Sequence, residues 1–245
     1  MIYLYSGTPG SGKSLQMAHE VVKWIKSYKK NVIGNTRISV DAIMGKSIKE
    51  HGKFYFFDNE YLTPDILYRY ALRFHREDIE SQTLIVIDEA QAKFHPNVMK
   101  LEAQENKFYR KEWLDFFTQH RQLGYDVLII TQFDKLLDAQ VRCLLEYNYV
   151  HRKANNFQAI GKFLTLMGFS LFVQIQKWYG VNAVSGTQYF TYSKKYANIY
   201  DSYGYRKKII AQLTKRYGEE EMAKIMGFIR TNNNTSSVKK VKAVI

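Results

Sequence analysis

The sequence has little cysteine, no clustered histidine and no apolar run of membrane-spanning length. Its single cysteine, Cys143, cannot form a disulfide bond within the chain, which suits a reducing compartment. One cysteine and six scattered histidines, with no H-x-x-x-H pair, also exclude a zinc site. The longest apolar stretch, Phe163 to Ile175, is shorter than the roughly 20 residues that a transmembrane helix needs. We therefore expect neither a transmembrane helix nor, from the first residues, a signal peptide.

Basic residues are distributed unevenly along the chain. Residues 1–150 hold 20 Lys/Arg and 19 Asp/Glu, a net charge of +1, whereas residues 151–245 hold 16 and 4, a net charge of +12. Nearly all of the net charge of +13 therefore lies in the last part of the sequence. Such asymmetry is typical of proteins that contact a polyanion, either nucleic acid or an anionic membrane face. A basic surface without a specific partner is the alternative interpretation.

Short apolar segments alternate with amphipathic ones over residues 1–150, which we expect to form the core domain. This alternation predicts an α/β fold with a central parallel sheet and right-handed crossovers. The predicted strands are 2–6, 31–34, 54–57, 83–87 and 125–131. One predicted helix runs from Lys13 to Tyr28, and a second begins at the Thr63-Pro64 pair. A loop that holds Pro96 leads to a third, from Gln104 to Leu123, which Gly124 closes.

The composition changes after about residue 150. Aromatic, alternating segments predict antiparallel strands or a hairpin attached to the sheet, at 147–152, 169–178 and 187–193. Basic helices are predicted over 206–217 and 219–229. We expect residues 151–230 to form a small antiparallel β and basic helical extension packed on the core, and the lysine-rich tail 231–245 to be disordered.

The first predicted strand runs directly into a glycine-rich loop that satisfies the pattern G-x-x-x-x-G-K-[ST]. This P-loop consists of Gly7-Thr8-Pro9-Gly10-Ser11-Gly12-Lys13-Ser14. Glycines let the backbone wrap around phosphates, so that successive N–H groups and the N-terminus of the next helix face the anion. Lys13 is expected to contact the β- and γ-phosphates and Ser14 to bind Mg²⁺. The N-K-x-D pattern of guanine recognition is absent from the sequence, which favours ATP as the nucleotide.

The predicted strand at 83–87 ends in two acids, Asp88 and Glu89. A carboxylate at the end of a buried strand lies beside the P-loop, where Asp88 can hold a water on Mg²⁺. Glu89 can orient and deprotonate the water that attacks the γ-phosphate. Alone, this pair would indicate only the solvated start of a loop. Together with a complete P-loop it predicts ATP hydrolysis.

Two further residues flank the next predicted strand. The amide of Gln132, at the end of this strand, can sense the γ-phosphate, although polar residues are common at strand ends. Arg121, just ahead of the strand, can donate a guanidinium to transition-state charge in its own or a neighbouring subunit. A surface arginine at the end of a helix is an equal alternative. The predicted catalytic set is therefore Lys13, Glu89, Gln132 and Arg121.

Several blocks resemble the zonular occludens toxin family, the assembly ATPases of filamentous phages. They are the P-loop close to the start, Ile87 to Gln91, His120 to Asp126 running into Ile129 to Gln132, and a tyrosine block from Tyr189 to Tyr196 followed by Ile199 to Tyr203. The similarity covers roughly residues 1–205. The P-loop is shared by many families, whereas the His-Arg to Thr-Gln block and the tyrosine block are more particular.

The resemblance implies a three-layer P-loop NTPase fold of the RecA and FtsK–HerA kind, with the strand of Gln132 between the P-loop strand and the Asp88 strand. It implies an ATP-driven role in assembling and extruding a filamentous virion through the host envelope. It also implies a homo-oligomer, a hexameric ring by analogy, that contacts phage DNA or a DNA–protein complex. Family members often carry a membrane-spanning helix after the ATPase domain. Since this sequence has none, we expect it in the host cytoplasm, peripheral at the inner membrane or beside a membrane-embedded assembly partner.

Other functions remain open from the sequence. The same fold serves general DNA translocases and plasmid-transfer ATPases. A nucleotide-switched scaffold or a host-acting toxin would bind nucleotide without turnover. A small-molecule kinase is disfavoured because the sequence has no lid-like arginine cluster.

Overall fold

The computed structural model describes residues 1–39, 50–156, 166, 169–200, 210, 213–219 and 221. The chain divides into two compact units, Met1–Tyr200 and Asp201–Ile245. In the second unit, residues 213–217 are helical, and Thr214 Oγ1 donates a hydrogen bond to Ile210 O at 2.8 Å. Residues 210, 219 and 221 are also helical, while the other residues of the predicted basic helices and the whole tail 231–245 lie outside the described residues. The predicted division at residues 150 and 230 stays a prediction.

An eight-stranded sheet organises the described part of the first unit. Its strands are β1 (Ile2–Ser6), β2 (Asn31–Gly34), β3 (Phe54–Phe56), β4 (Thr83–Ile87), β5 (Tyr125–Ile130), β6 (Tyr147–Lys153), β7 (Leu171–Trp178) and β8 (Ala183–Thr191). Their order across the sheet is β3-β2-β4-β5-β1-β6-β7-β8. In this order, the six strands from β3 at the edge to β6 are parallel to one another. Strand β7 is antiparallel to β6, and β8 is antiparallel to β7. The strand before Gln132 thus lies between the P-loop strand and the Asp88 strand, which confirms the predicted order.

Helices cover both faces of the sheet. They are α1 (Lys13–Val22), α2 (Pro64–Phe74), α3 (Gln91–Phe94), α4 (Pro96–Glu105), α5 (Tyr109–Gln119), α6 (Ala139–Cys143) and α7 (Lys194–Ala197), with a π-helical turn at Lys23–Ser27 after α1. Side chains alternate between the faces along each strand. Ile2 and Leu4 of β1 pack in one buried cluster with residues of α2 and α5, whereas Tyr3 and Tyr5 pack in a second cluster with residues of α1. The fold is therefore a three-layer α/β architecture, as predicted.

Two predictions about the segment between β4 and β5 are wrong. Pro96 is not in a loop but is the first residue of α4, where its missing N–H leaves no hydrogen bond unmade. The single predicted helix from Gln104 to Leu123 is two helices, because Asn106 is extended and its Oδ1 accepts a hydrogen bond from Phe108 N at 3.0 Å. Such a local bond competes with helix continuation. The second helix ends at Gln119, and a turn leads from there to Gly124.

The segments after residue 146 also differ in part from the prediction. The strand at 147–153 is parallel to β1, because it follows β5 through the short helix α6 and joins the free side of β1. On its other side β6 pairs antiparallel with β7, and β7 forms an antiparallel hairpin with β8, so the predicted antiparallel strands are present. The tyrosine block begins within β8, and the Tyr196 ring stacks on His19 of α1 at a centroid distance of 3.5 Å. None of the helices within the described ranges has the length and apolarity needed to cross a membrane.

Candidate nucleotide site

The P-loop connects the C-terminal end of β1 with the N-terminus of α1, where the motif requires it. Its first glycine, Gly7, has φ +141°, and a Cβ there would lie 2.3 Å from the carbonyl oxygen of His151 on β6. Gly12 has φ +95°, and a Cβ there would lie 2.8 Å from the ring of Phe172 on β7. Only glycine fits these two positions without displacing a neighbouring strand.

The lysine and the helix N-terminus of the loop provide its positive potential. Lys13 Nζ donates to the carbonyl oxygens of Gly7 at 2.6 Å and Thr8 at 3.1 Å. Burial lowers the pKa of Lys13, and the negative charges of Glu89 and Asp88 oppose this shift. Among the described residues no side chain caps the start of α1, so the N–H groups of its first turn are available to bind an anion.

Asp88 and Glu89 follow the C-terminal end of β4, two strands away from β1 across the sheet. Burial, and then the charge of Glu89, raise the pKa of Asp88, while hydrogen bonds from Glu89 N and Thr36 and the charge of Lys13 lower it. An incompletely compensated carboxylate in this position favours a bound cation. Because β4, β5 and β1 are parallel neighbours, the acids after β4 and the P-loop after β1 lie at the same edge of the sheet.

Glu89 has an unusual backbone and a fixed side chain. Its φ is +48°, in the left-handed region that is uncommon for residues other than glycine. Its carboxylate accepts a short hydrogen bond from Gln91 Nε2, and Gln91 Oε1 accepts one from the buried hydroxyl of Thr131 at 2.8 Å. The exposed carboxylate is therefore held through Gln91 by the end of β5.

The backbone of Gln132 and the side chain of Thr131 make contacts at the site that the sequence did not indicate. The carbonyl oxygen of Gln132 accepts a hydrogen bond from Gly7 N at 3.0 Å, so the backbone of Gln132 anchors the P-loop. It is Thr131, through Gln91, that reaches Glu89. A role of the Gln132 side chain in sensing the γ-phosphate stays a prediction.

Arg121 lies at the opposite edge of the sheet. It precedes the N-terminal end of β5, whereas the P-loop follows the C-terminal end of the parallel neighbour β1. The six residues of β5 span about 20 Å. Arg121 makes a bidentate ion pair with Glu80 at 3.0–3.2 Å, and both side chains are exposed. The structure thus does not bring Arg121 to the P-loop of its own chain.

Two polar residues after β2, Asn35 and Thr36, reach the site although the sequence reasoning did not identify them. Thr36 Oγ1 donates to Asp88 Oδ2 at 3.2 Å. The side chain of Asn35 bonds both backbone groups of Asp88. A signal was available, because polar residues that follow a parallel strand meet those that follow its neighbour.

The β6–β8 region lies against the P-loop. Phe172 of β7 and Phe190 of β8 stack at a centroid distance of 5.3 Å beside Gly12. His151 of β6 is buried, and Gln174 Nε2 donates to its Nε2 at 3.2 Å while its Nδ1 faces Tyr149 O at 2.9 Å. Burial lowers the pKa of His151 to about 4. A neutral ring therefore lies behind the loop.

The residues present fit MgATP. Gly7, Gly10 and Gly12 place no Cβ atoms in the loop, and Ser11 Oγ is buried and has no partner among the described residues. Ser14 and Asp88 offer the hard oxygen ligands that Mg²⁺ prefers. Within the described ranges no cluster of three His, Cys, Asp or Glu could hold a metal by itself.

Comparisons with solved structures give several similar proteins. The N-terminal domain of zonular occludens toxin from Neisseria meningitidis is 23% identical, with a TM-score of 0.41, and the match covers 82% of this chain and 98% of that one. B204, the DNA-packaging ATPase from Sulfolobus Turreted Icosahedral Virus, is 13% identical, with a TM-score of 0.41 and coverage of 76% and 96%. A DnaB-like replicative helicase is 11% identical, with a TM-score of 0.48 and coverage of 80% and 57%.

A family model provides the decisive match. No curated protein sequence matches the chain. The model described as zonular occludens toxin (Zot) matches residues 1–206, which is most of the sequence and agrees with the range of the resemblance. The chain therefore belongs to the zonular occludens toxin (Zot) family.

Proposed function

We propose that this chain is the ATP-hydrolysing motor subunit that assembles filamentous phage virions and extrudes them through the host membrane. The observation that carries the proposal is the convergence of Lys13, Asp88 and Glu89 at one edge of the sheet. A P-loop lysine beside a half-buried acid and an exposed acid is the set of groups that hydrolysis of a nucleoside triphosphate requires.

Each residue has a separate role in this proposal. The P-loop amides and Lys13 bind the phosphates of ATP, and Ser14 and Asp88 hold Mg²⁺, Asp88 through a water. Mg²⁺, when bound, neutralises phosphate charge that develops during transfer. Glu89 orients the attacking water and accepts its proton, and the bond from Gln91 fixes the direction of its carboxylate. The side chain of Gln132 senses the γ-phosphate.

We further propose that the subunit acts in a homo-oligomeric ring, hexameric by family analogy. Arg121 lies about 20 Å from the P-loop edge of its own sheet, so it completes a site only in a neighbouring subunit. Its present partner, Glu80, is exposed, and such an exposed pair is weak enough to exchange for a phosphate. The chain would work in the host cytoplasm at the inner face of the membrane, together with phage DNA or a DNA–protein complex and a membrane-embedded assembly partner.

The experiment is complementation of a filamentous phage that lacks this gene product. The unaltered chain should restore release of virions, and Lys13→Ala should abolish it while the variant accumulates as a folded protein. Lys100→Ala, which alters an exposed lysine of α4, is the matched control and should release virions like the unaltered chain. Release by Lys13→Ala at the normal level would contradict the proposal.

A general DNA translocase is the second candidate, because the net charge of +12 in residues 151–245 fits contact with any DNA as well as with a phage complex. In that case single-stranded or double-stranded DNA should stimulate hydrolysis with a steep dependence on salt. Stimulation of hydrolysis by vesicles of anionic lipid, without any effect of DNA, would instead indicate that residues 151–245 contact the membrane. A scaffold or toxin that does not turn ATP over would bind nucleotide under all these conditions and release no phosphate.

A further inference from the structure

The end of β4 is held in an unusual way. The β2–β4 pairing reaches its last registered pair at Gly34 and Val86, and Asn35 N still donates to Val86 O at 3.3 Å. Beyond this point the side chain of Asn35 replaces the backbone of β2. Asn35 Oδ1 accepts from Asp88 N at 2.7 Å, and Asn35 Nδ2 donates to Asp88 O at 2.8 Å. One carboxamide thus satisfies both backbone polar groups of Asp88.

The orientation of this carboxamide is determined by its partners. Asn35 Nδ2 also donates to Asn59 Oδ1 at 2.8 Å. A flipped amide would place an N–H group against the N–H of Asp88 and its oxygen against two acceptor oxygens, so only the observed orientation satisfies all three bonds. The backbone of Asn59 is held in turn, since the buried side chain of Lys93 donates from Nζ to Asn59 O at 2.6 Å.

The carboxylate of Asp88 is held separately from its backbone. Thr36 Oγ1 donates to Oδ2 at 3.2 Å, and Glu89 N donates to Oδ1 at 3.0 Å. Among the described residues each oxygen therefore has one donor, which leaves acceptor capacity for one further partner. The two residues that follow β2 thus fix the backbone and the side chain of Asp88, respectively.

We propose that Asn35 and Thr36 are positioning residues for the metal-binding carboxylate, and that they set the preference of the site for MgATP over metal-free ATP. This inference rests on the proposed function, because it assigns Asp88 to the metal. Partners that orient a metal ligand typically affect metal affinity by about 10- to 100-fold when they are removed. The phosphate contacts come from the P-loop, on β1 and α1, and do not involve these two residues.

The test measures binding of the non-hydrolysable analogue AMPPNP by calorimetry, once with Mg²⁺ and once with EDTA. Asn35→Ala should weaken binding with Mg²⁺ by about 10-fold or more and leave binding in EDTA unchanged. Thr36→Val, which is nearly isosteric, should act in the same direction, and Thr36→Ser should restore the normal ratio because it keeps the hydroxyl. Asn97→Ala, at an exposed asparagine of α4, is the control and should match the unaltered chain.

Each outcome is decisive. An unaltered Mg²⁺ preference in both Asn35→Ala and Thr36→Val would overturn the inference and leave the proposed function intact. Equal losses with Mg²⁺ and with EDTA would also overturn it, because they would indicate a merely structural role. If the unaltered chain binds no nucleotide, or binds it without any preference for Mg²⁺, the assignment of Asp88 fails and this inference fails with it.

Discussion

Glu89 combines a strained backbone with a position at the nucleotide site. Its φ of +48° costs on the order of 1 kcal/mol, and such conformations persist where the surroundings impose them. The surroundings here are known, since Ala90 N donates to Ile130 O at 2.9 Å and Gln91 connects the Glu89 carboxylate with Thr131. The strain turns the carboxylate out of the sheet, whereas Asp88 remains half-buried beside β2. Two adjacent acids therefore occupy different environments, and this difference suits two different roles.

The P-loop glycines provide a first prediction at the residue scale. Gly7→Ala should destabilise the protein by about 3 kcal/mol or more, because its Cβ would lie 2.3 Å from His151 O. Gly10→Ala is the control. It has φ +73° but no heavy atom of the described residues within 4 Å, so only backbone strain of about 1 kcal/mol is expected. Urea denaturation measures both free energies of unfolding, and equal losses would contradict the close approach of β6 to the loop.

A second residue-scale prediction concerns pH. The pKa of His151 is lowered to about 4 in the folded protein, so the unfolded chain binds the proton more readily. The contribution of neutral His151 to the free energy of unfolding should therefore be fully present above about pH 6.5. It should decrease as the pH falls from there towards 4. Burial also lowers the pKa values of His75 and His120, so the unaltered chain and the variant are compared with each other.

The variant for this test is His151→Gln. Between pH 6.5 and pH 4 the free energy of unfolding should decrease less in this variant than in the unaltered chain, by up to about 3 kcal/mol. A shift of one pKa unit corresponds to about 1.4 kcal/mol. Denaturation curves across this range measure the two slopes. Parallel slopes would indicate that His151 is not buried as a neutral ring.

At the scale of elements, the sequence predicted what depends on local pattern. The continuous apolar run from Thr83 to Ile87 is the strand that the structure contains, and the Thr63-Pro64 pair begins α2 with Thr63 as its cap. The break between α4 and α5 was missed because one Asn side chain overrides an otherwise helical pattern. Asn35 and Thr36 were missed for a different reason. Their role depends on β2 and β4 being neighbours, which no local pattern states.

The β7–β8 hairpin provides a prediction at this scale. Phe172→Ala should destabilise the protein by about 3 kcal/mol, because Phe172 is buried and its ring fills the space beside Gly12. It should also weaken AMPPNP binding, since Gly12 is the N-cap residue of α1. Trp178→Ala lies on the same strand but is 56% exposed, so it serves as the control and should change neither quantity. An effect of Trp178→Ala as large as that of Phe172→Ala would contradict the packing described.

For the whole molecule, the architecture and the family were predictable and the detailed arrangement was not. Alternating strands and helices predicted a parallel sheet, but the position of β5 between β1 and β4 came from the resemblance to the Zot family. The place of Arg121 at the far edge of the sheet follows only from the completed topology. Sequence patterns describe neighbours along the chain, whereas the nucleotide site is assembled from the ends of several strands.

The central claim is ATP hydrolysis by this chain, and the most direct measurement is steady-state phosphate release, alone and with DNA or anionic vesicles. We expect turnover by the unaltered chain and a decrease of about 100-fold or more in Glu89→Gln, which keeps the size of the side chain but removes the base. Glu112→Gln, at an exposed glutamate of α5, should match the unaltered chain. Full activity in Glu89→Gln, or no phosphate release by the unaltered chain under any condition, would contradict the account.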